Sequence, residues 1–223
     1  DRDPCIRHIA VIALGYIGDG RAAEPLVRVL MDPNVDHITR RLAKNSLKML
    51  GGGAVEPLIR VLRDKSVSIE IRKIVADILV TIWLGRGAEN YLSDEYYGDV
   101  EVYYVPPTPD PRIIDVVLEV IRERELREVI MERIGVLELF AVEQLFIKVK
   151  NWFDDSVIGD IIEGLLEDAY LEYGSRFLCL VAKLVGEVDV ETGALLMEVL
   201  KRVLGRVYRG ESLGEVRYLI DNL

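Results

Sequence analysis

The sequence predicts an all-α protein, an α-solenoid in which antiparallel helical hairpins wind into a superhelix broken by one irregular insertion. Three observations predict it: a segment that recurs after 33 residues, apolar residues at helical intervals, and glycines where hairpin turns belong. Shifted by 33, Arg7, Ala10, Leu14, Ile17, Gly18 and Gly20 land on Arg40, Ala43, Leu47, Leu50, Gly51 and Gly53. One residue is dropped in the turn, so at a shift of 32 Glu24-Pro25-Leu26 becomes Glu56-Pro57-Leu58. Val29, Leu30 and Asp32 then become Val61, Leu62 and Asp64. A hairpin of this length cannot bury its apolar face alone, so neighbouring hairpins must stack.

The recurring letters have physical reasons. Asp3-Pro4 and Asp32-Pro33 each read as a helix N-cap before a proline at the first helical position, where the missing N–H costs nothing. Ile6, Ile9, Ala10, Ala13, Leu14 and Ile17 form one continuous apolar face of the kind that faces a core. Gly18 and Gly20 allow the positive φ angles of a tight turn. Pro25 is tolerated in the first turn of the second helix, and Glu24 faces that helix's positive end. Ala10, Ala43 and Ala76 are small where neighbouring helices should approach closely.

These residues resemble HEAT repeats of the phycobilisome (PBS) lyase HEAT-like type. That repeat carries an Arg-x-x-Ala first helix, a Leu-Gly-x-Ile-Gly-Asp turn and a Val/Ala-Glu-Pro-Leu second helix. The first repeat matches closely, and the second, residues 32–62, keeps the pattern with its turn reduced to Gly51-Gly52-Gly53. A third begins at Asp64, with Arg72, Ala76 and Leu84-Gly85-Arg86-Gly87-Ala88. The resemblance covers about residues 3–92. It implies a stack in which Arg7, Arg40, Asp32 and Asp64 bridge adjacent repeats. It does not imply an activity, because the repeat serves many functions. The organisation expected is regular HEAT-like repeats over 1–87, an insertion over 88–111, and degenerate hairpins over 112–223 continuing the same solenoid.

The helical period stops between Ala88 and Pro111. Residues 89–111 hold five of the ten tyrosines and six acidic residues, with no Lys or Arg. By alignment the segment replaces the third repeat's turn, and any strand in the chain is expected within 96–106. Tyrosine offers a large contact area with few rotors, and an acidic field steers a basic partner. Tyr96, Tyr97, Tyr103 and Tyr104 are therefore the candidate partner-binding residues, with Asp94, Glu95, Asp99 and Glu101 setting the charge preference. The alternative is that the tyrosines fold back as a cover over the solenoid.

Beyond Arg112 the chain reads helical without the signature. Residues 113–122 and 137–153 read as helices, and 122–128 as a solvated charge run in which Glu123 pairs with Arg127. Ile158, Ile161, Ile162, Leu165 and Leu166 mark a wide apolar face, and Leu196, Val199, Leu200 and Val203 repeat that geometry. Lys201, Arg202, Arg206 and Arg209 line the last helix's polar side, as helix-terminal cations or as a landing site for an acidic segment. Trp83 occupies the Leu50 position and reads as core; Trp152-Phe153 reads as core or surface anchor.

Composition narrows the function classes. With 223 residues, 50% of them hydrophobic, the chain can bury a substantial core. A net charge of −10 argues against a nucleic-acid partner, and against the basic groove of helical-repeat DNA glycosylases. No stretch approaches the roughly 20 apolar residues of a membrane span. Residues 78–84, the longest candidate, read as a buried helix segment. Cys5 and Cys179 have no CxxC partner and read as small core residues of a reduced, cytoplasmic protein. Charged residues at 30% and a single glutamine, Gln144, point to a thermophilic source. The chain opens on Asp1 rather than Met, so residues upstream are expected.

Di-iron enzymes built on HEAT helices need His-Glu pairs, whereas His8 and His37 are each followed by Ile and read as surface or cap histidines. Leu14-Gly-Tyr-Ile-Gly-Asp-Gly20 follows no strand, so it is not a phosphate loop. The reading that results is a non-catalytic protein-binding scaffold without cofactor or metal, whose partner carries a basic surface and which can form homo-oligomers. The alternative implied by the resemblance is a lyase or cofactor-handling protein related to bilin lyases.

Overall fold

The computed structural model describes residues 3–86, 110–135 and 139–208, and every regular element among them is helical. Two compact units divide the chain, Asp1–Arg133 and Ile134–Leu223. The first contains α1 (Pro4–Ile17), α2 (Ala23–Met31), α3 (His37–Leu50), α4 (Val55–Arg63), α5 (Ile69–Trp83), α6 (Ile113–Val120) and α7 (Arg124–Ile134). Helix α3 packs against both α1 and α2, and α5 packs against α3, α4 and α6. This is a HEAT-like helical stack whose third repeat closes with α6, beyond the insertion.

Helix starts follow their caps. Asp3 Oδ1 accepts the Cys5 N–H at 2.8 Å with Pro4 in the first helical position. Asp36 caps α3, accepting the Thr39 N–H at 2.8 Å and the Thr39 hydroxyl at 2.7 Å. The reading of Asp32-Pro33 as a helix start is corrected. Asp32 ends α2 and accepts the Asn34 N–H at 2.9 Å, so Asp32-Pro33-Asn34 is a turn and α3 begins four residues later, after Asp36.

The turn glycines act in two ways. Gly18 ends α1 at φ +70°, as the sequence predicts. Gly20 is not at positive φ; it faces Gly53, where a Cβ would lie 3.0 Å from the Gly20 Cα. Gly20 and Gly53 are thus the point where the turns of successive repeats meet. Gly15 does the same between helices, since its Cβ would lie 2.9 Å from the Ser46 Cα. At that crossing Ser46 Oγ donates to the Val11 carbonyl at 2.8 Å.

Burial corrects the reading of α1. Its covered face is His8, Val11 and Gly15, while Ile6, Ile9, Ala10, Ala13 and Ile17 are exposed. In α5 the reading holds: residues 78–84 are buried throughout and Trp83 is in the core. Cys5 and Cys179 are both exposed, contrary to the core reading. Cys5 lies in the first turn of α1.

The second unit contains α8 (Leu139–Ile147), α9 (Val149–Trp152), α10 (Ser156–Tyr173), α11 (Ser175–Glu187) and α12 (Val190–Val207). Helix α12 packs against α9, α10 and α11. The helix expected over 137–153 is broken at Lys148, and the turn lets Trp152 bury its ring and donate its indole N–H to the Leu145 carbonyl at 2.9 Å. Trp152 is therefore core. Phe177 packs edge-on against Phe146 and Tyr170, with ring centroids 6.1 and 5.8 Å away.

Two glycine substitutions test this packing by urea denaturation. Gly164→Ala, with nothing near the new Cβ, should stabilise α10 by about 0.5–1 kcal/mol. Gly15→Ala gains the same propensity but must push α1 off Ser46, for a net loss of about 1–2 kcal/mol.

Candidate interaction surfaces

Tyr96, Tyr97, Tyr103, Tyr104, Asp94, Glu95, Asp99 and Glu101 lie outside the described residues. The ends of their segment are well defined. On the outgoing side Arg86 N–H donates to the Thr81 carbonyl at 3.1 Å, and its guanidinium donates to the Arg133 carbonyl at 2.6 Å. On the return side buried Asp110 accepts the Arg112 N–H at 3.0 Å and Nε–H at 2.9 Å. Those bonds hold the Asp110 carboxyl below the usual carboxylate range. Arg112 also donates to the Gly52 carbonyl at 3.1 Å and lies 3.8 Å from Glu56. Because α5 and α6 pack on one another, the tyrosine segment is spliced into a repeat whose helices are already paired.

Charged side chains link successive repeats. Arg7 donates to Asp36 at 3.2 Å, and Arg40 to the Asp32 carbonyl at 2.8 Å. Arg72, buried on α5, donates to the Leu62 carbonyl at 2.8 Å and pairs with Glu123 through both guanidinium ends at 2.8 and 2.9 Å. Arg7 and Arg40 thus bridge as the resemblance implies. Asp32 contributes through its carbonyl, and the Asp64 carboxylate is spent on its own turn, accepting from Ser66 N–H at 2.9 Å. The Glu123–Arg127 pairing is corrected. The Glu123 side chain goes to Arg72 and Lys65, which bring its pKa down to about 2, and the i,i+4 pair in that region is Arg124–Glu128 at 3.2 Å. Along the second helices Arg60 pairs back to Glu24, and Arg63 meets Glu119 at 2.7 Å.

Asp77, on α5, is a buried charge. Its carboxylate faces Lys44 at 2.7 Å and Lys48 at 3.1 Å from α3, with the Arg133 guanidinium of α7 completing the cluster. Burial pushes the Asp77 carboxyl up, but Lys48, Lys44 and Arg133 outweigh it and hold its pKa below the ordinary value. Burial drives the Lys48 ammonium down, and Asp77 only partly offsets that against repulsion from Lys44 and Arg133. One carboxylate thus joins three helices.

In the second unit the basic side of α12 serves a buried carboxylate. Glu163 is met by Arg202 at 3.3 Å and Arg206 at 2.9 Å, and Arg206 also reaches Asp160 at 2.9 Å. The Arg202 guanidinium lies over the Phe153 ring at 4.6 Å. These two arginines are therefore internal partners rather than a landing site; Arg209 lies outside the described residues. An open recess of about 450 Å³ is lined by Tyr170, Leu171, Gly174, Val207 and Tyr208. The Tyr170 and Tyr208 hydroxyls are 2.7 Å apart, and burial first, then this bond, raises Tyr170 to about 12. The Tyr170 hydroxyl therefore stays protonated at neutral pH.

His8 is buried rather than a surface histidine, with Nε2 3.6 Å from the Asp36 carboxylate; His37 is exposed at the start of α3. Among the described residues no group of His, Cys, Asp and Glu is placed to hold a metal ion, and no helix is long and apolar enough to cross a membrane.

Geometry and composition define an all-helical repeat protein. Residues 6–30 match the family model of the PBS lyase HEAT-like repeat, the span containing most of α1, its turn and most of α2. No curated protein matches the chain.

Urea titrations of two variants test the Asp77 cluster. Asp77→Ala strands Lys48 among like charges and should cost about 3–5 kcal/mol. Lys48→Met leaves Asp77 paired with Lys44 and Arg133 and should change stability by under about 1 kcal/mol. The pH signs differ. The depressed Asp77 pKa contributes stability above its unfolded value of about 3.9, lost as pH falls through the lower folded value. The depressed Lys48 pKa opposes folding at neutral pH. Stability should therefore rise as pH climbs from the folded value towards about 10.4, a rise that Lys48→Met removes.

Proposed function

We propose that the protein is a non-catalytic HEAT-repeat scaffold that binds protein partners through the segment inserted in its third repeat. The observation that carries this reading is the splice itself. Helices α5 and α6 pack on each other, and Asp110 and Arg112 tie the return strand of chain to Gly52 and Glu56. The segment is thus an addition to a repeat already closed, and long insertions of this kind are more often functional than ordinary turns. Its tyrosines supply contact area, and its carboxylates, unrelieved by any Lys or Arg, favour a basic surface.

Excising residues 89–110 and joining Ala88 to Pro111 by a short Gly-Ser linker should leave helicity nearly unchanged. A partner captured by the full chain and identified by mass spectrometry should be lost. Single changes Tyr96→Ala, Tyr97→Ala, Tyr103→Ala or Tyr104→Ala should each cost up to about 2 kcal/mol of binding. Asp94→Asn or Glu101→Gln should act mainly on the association rate, in a salt-dependent way. Unfolding of the excised chain, with binding intact in all four tyrosine variants, would make the segment a structural cover.

A further inference from the structure

We propose that Ser68, the N-cap of α5, is a phosphorylation site, and that the phosphate group added there pairs with Arg40 of α3 to close the joint between the second and third repeats. The repeat supplies the argument. At the start of α1, α3, α5 and α7 the carbonyls of Asp3, Asp36, Ser68 and Glu123 accept the N–H groups of Arg7, Arg40, Arg72 and Arg127. Each of these helices therefore has an opening residue and an arginine one turn later. The arginine of one repeat reaches forward to the opening residue of the next. Arg7 donates to Asp36 at 3.2 Å, and Arg72 pairs with Glu123 at 2.8 and 2.9 Å. Arg40 stands between them in the series, and the opening residue ahead of it is Ser68. The Lys44–Asp77 contact at 2.7 Å fixes the register of α3 on α5 independently and sets Arg40 beside the opening turns of α5. Of these four helices, α5 alone opens without a carboxylate.

Both sides of the joint show the gap. Arg40 donates backwards to the Asp32 carbonyl at 2.8 Å, but its Nε is buried without a hydrogen-bond partner, and among the described residues it has no carboxylate. Arg72, by contrast, gives its Nε–H to the Leu62 carbonyl and its two other nitrogens to Glu123. Ser68 is exposed, and its hydroxyl accepts the Ile71 N–H at a long 3.4 Å, where Asp36 accepts Thr39 at 2.8 Å. Such a hydroxyl is open to a protein kinase. In the transfer Ser68 Oγ loses its proton and bonds the γ-phosphorus of a nucleoside triphosphate as the bond to the nucleoside diphosphate breaks. The product carries about −1.5 to −2 charge and three acceptor oxygens at a helix N-terminus, facing a planar guanidinium. Glu70 in the first turn of α5 opposes that charge, so the gain depends on Arg40 rather than on the helix end alone. Ser66 is also exposed, but its hydroxyl is bonded to the Asp64 carboxylate at 2.6 Å, where a phosphate is repelled.

The test has a physical arm and a cellular arm. Ser68→phosphoserine, installed in the full chain by genetic code expansion, should raise the thermal midpoint followed by circular dichroism by about 2–4 °C. Arg40→Gln should abolish that rise, measured against the unmodified chain carrying Arg40→Gln, and Ser66→phosphoserine should give none. The chain purified from its native host with phosphatases inhibited should carry phosphate in the tryptic peptide spanning residues 66–72, and fragmentation should assign it to Ser68. No rise, or a rise that survives Arg40→Gln, overturns the pairing. Absence of phosphate from that peptide, or phosphate on Ser66 alone, overturns the modification. Inorganic phosphate is the other source of the same group. Millimolar phosphate that stabilises the unmodified chain through Arg40, with Ser68 unmodified in the host, replaces the covalent phosphate with a free ion. The chain lacking residues 89–110 should show the same phosphoserine effect, so the result stands apart from the fate of the tyrosine segment.

Discussion

The buried Asp77 carboxylate is the interaction on which the first unit depends. Helix α5 packs against α3, α4 and α6, so a charge at its centre is largely withdrawn from solvent. Two lysines from α3 and the Arg133 guanidinium supply that solvation instead, and they join the second repeat, the third repeat and α7 at one point. Breaking such a cluster by removing its only anion costs more than removing one of three cations, because the remaining charges repel in a poorly solvated site. Arg72 works similarly a short way along α5, its guanidinium divided between the Leu62 carbonyl and Glu123. Polar side chains thus fix the register of a helix whose apolar surface alone would permit sliding.

Much of the stack was legible because its constraints are local or exactly repeated. Ala43, Ala76 and Trp83 sit in the core, and Gly18 ends its helix in the left-handed region. The misreadings share a cause. Asp32-Pro33 has the letters of a helix start, yet the Asx turn to Asn34 competes, and Asp36 with Thr39 three residues on offers the better cap. The face from Ile6 to Ile17 has the right period for a core, but periodicity identifies a face and not its occupant. Burial of the same positions in α3 and α5 comes from a neighbouring repeat, a fact absent from the residues of α1 themselves.

The charged sites were half legible. Asp77 interrupts the apolar run of residues 74–80, a signal that it must be paired, but its partners come from Lys44, Lys48 and Arg133, scattered along the chain. The i,i+4 rule pairs Glu123 with Arg127, whereas the structure gives it Arg72, 51 residues away. Short-range pairing rules fail where a long-range guanidinium is buried and needs an anion. In the second unit Glu163 shows the converse. Its carboxylate is buried, and it draws Arg202 and Arg206 inward from the polar side of α12.

The repeats are unequal among the described residues: α3 and α5 each pack against several other helices, while Ile6, Ile9, Ala10, Ala13 and Ile17 of α1 are exposed. Hydrogen–deuterium exchange resolved by peptide tests this most directly, since protection follows local burial and cooperative packing. The amides of α3 and α5 should exchange slowest and at a common rate, with those of α1 markedly faster, and Asp77→Ala should collapse the α3–α5 protection together. Equal protection across α1, α3 and α5, or protection of α5 unaffected by loss of the Asp77 carboxylate, would contradict it.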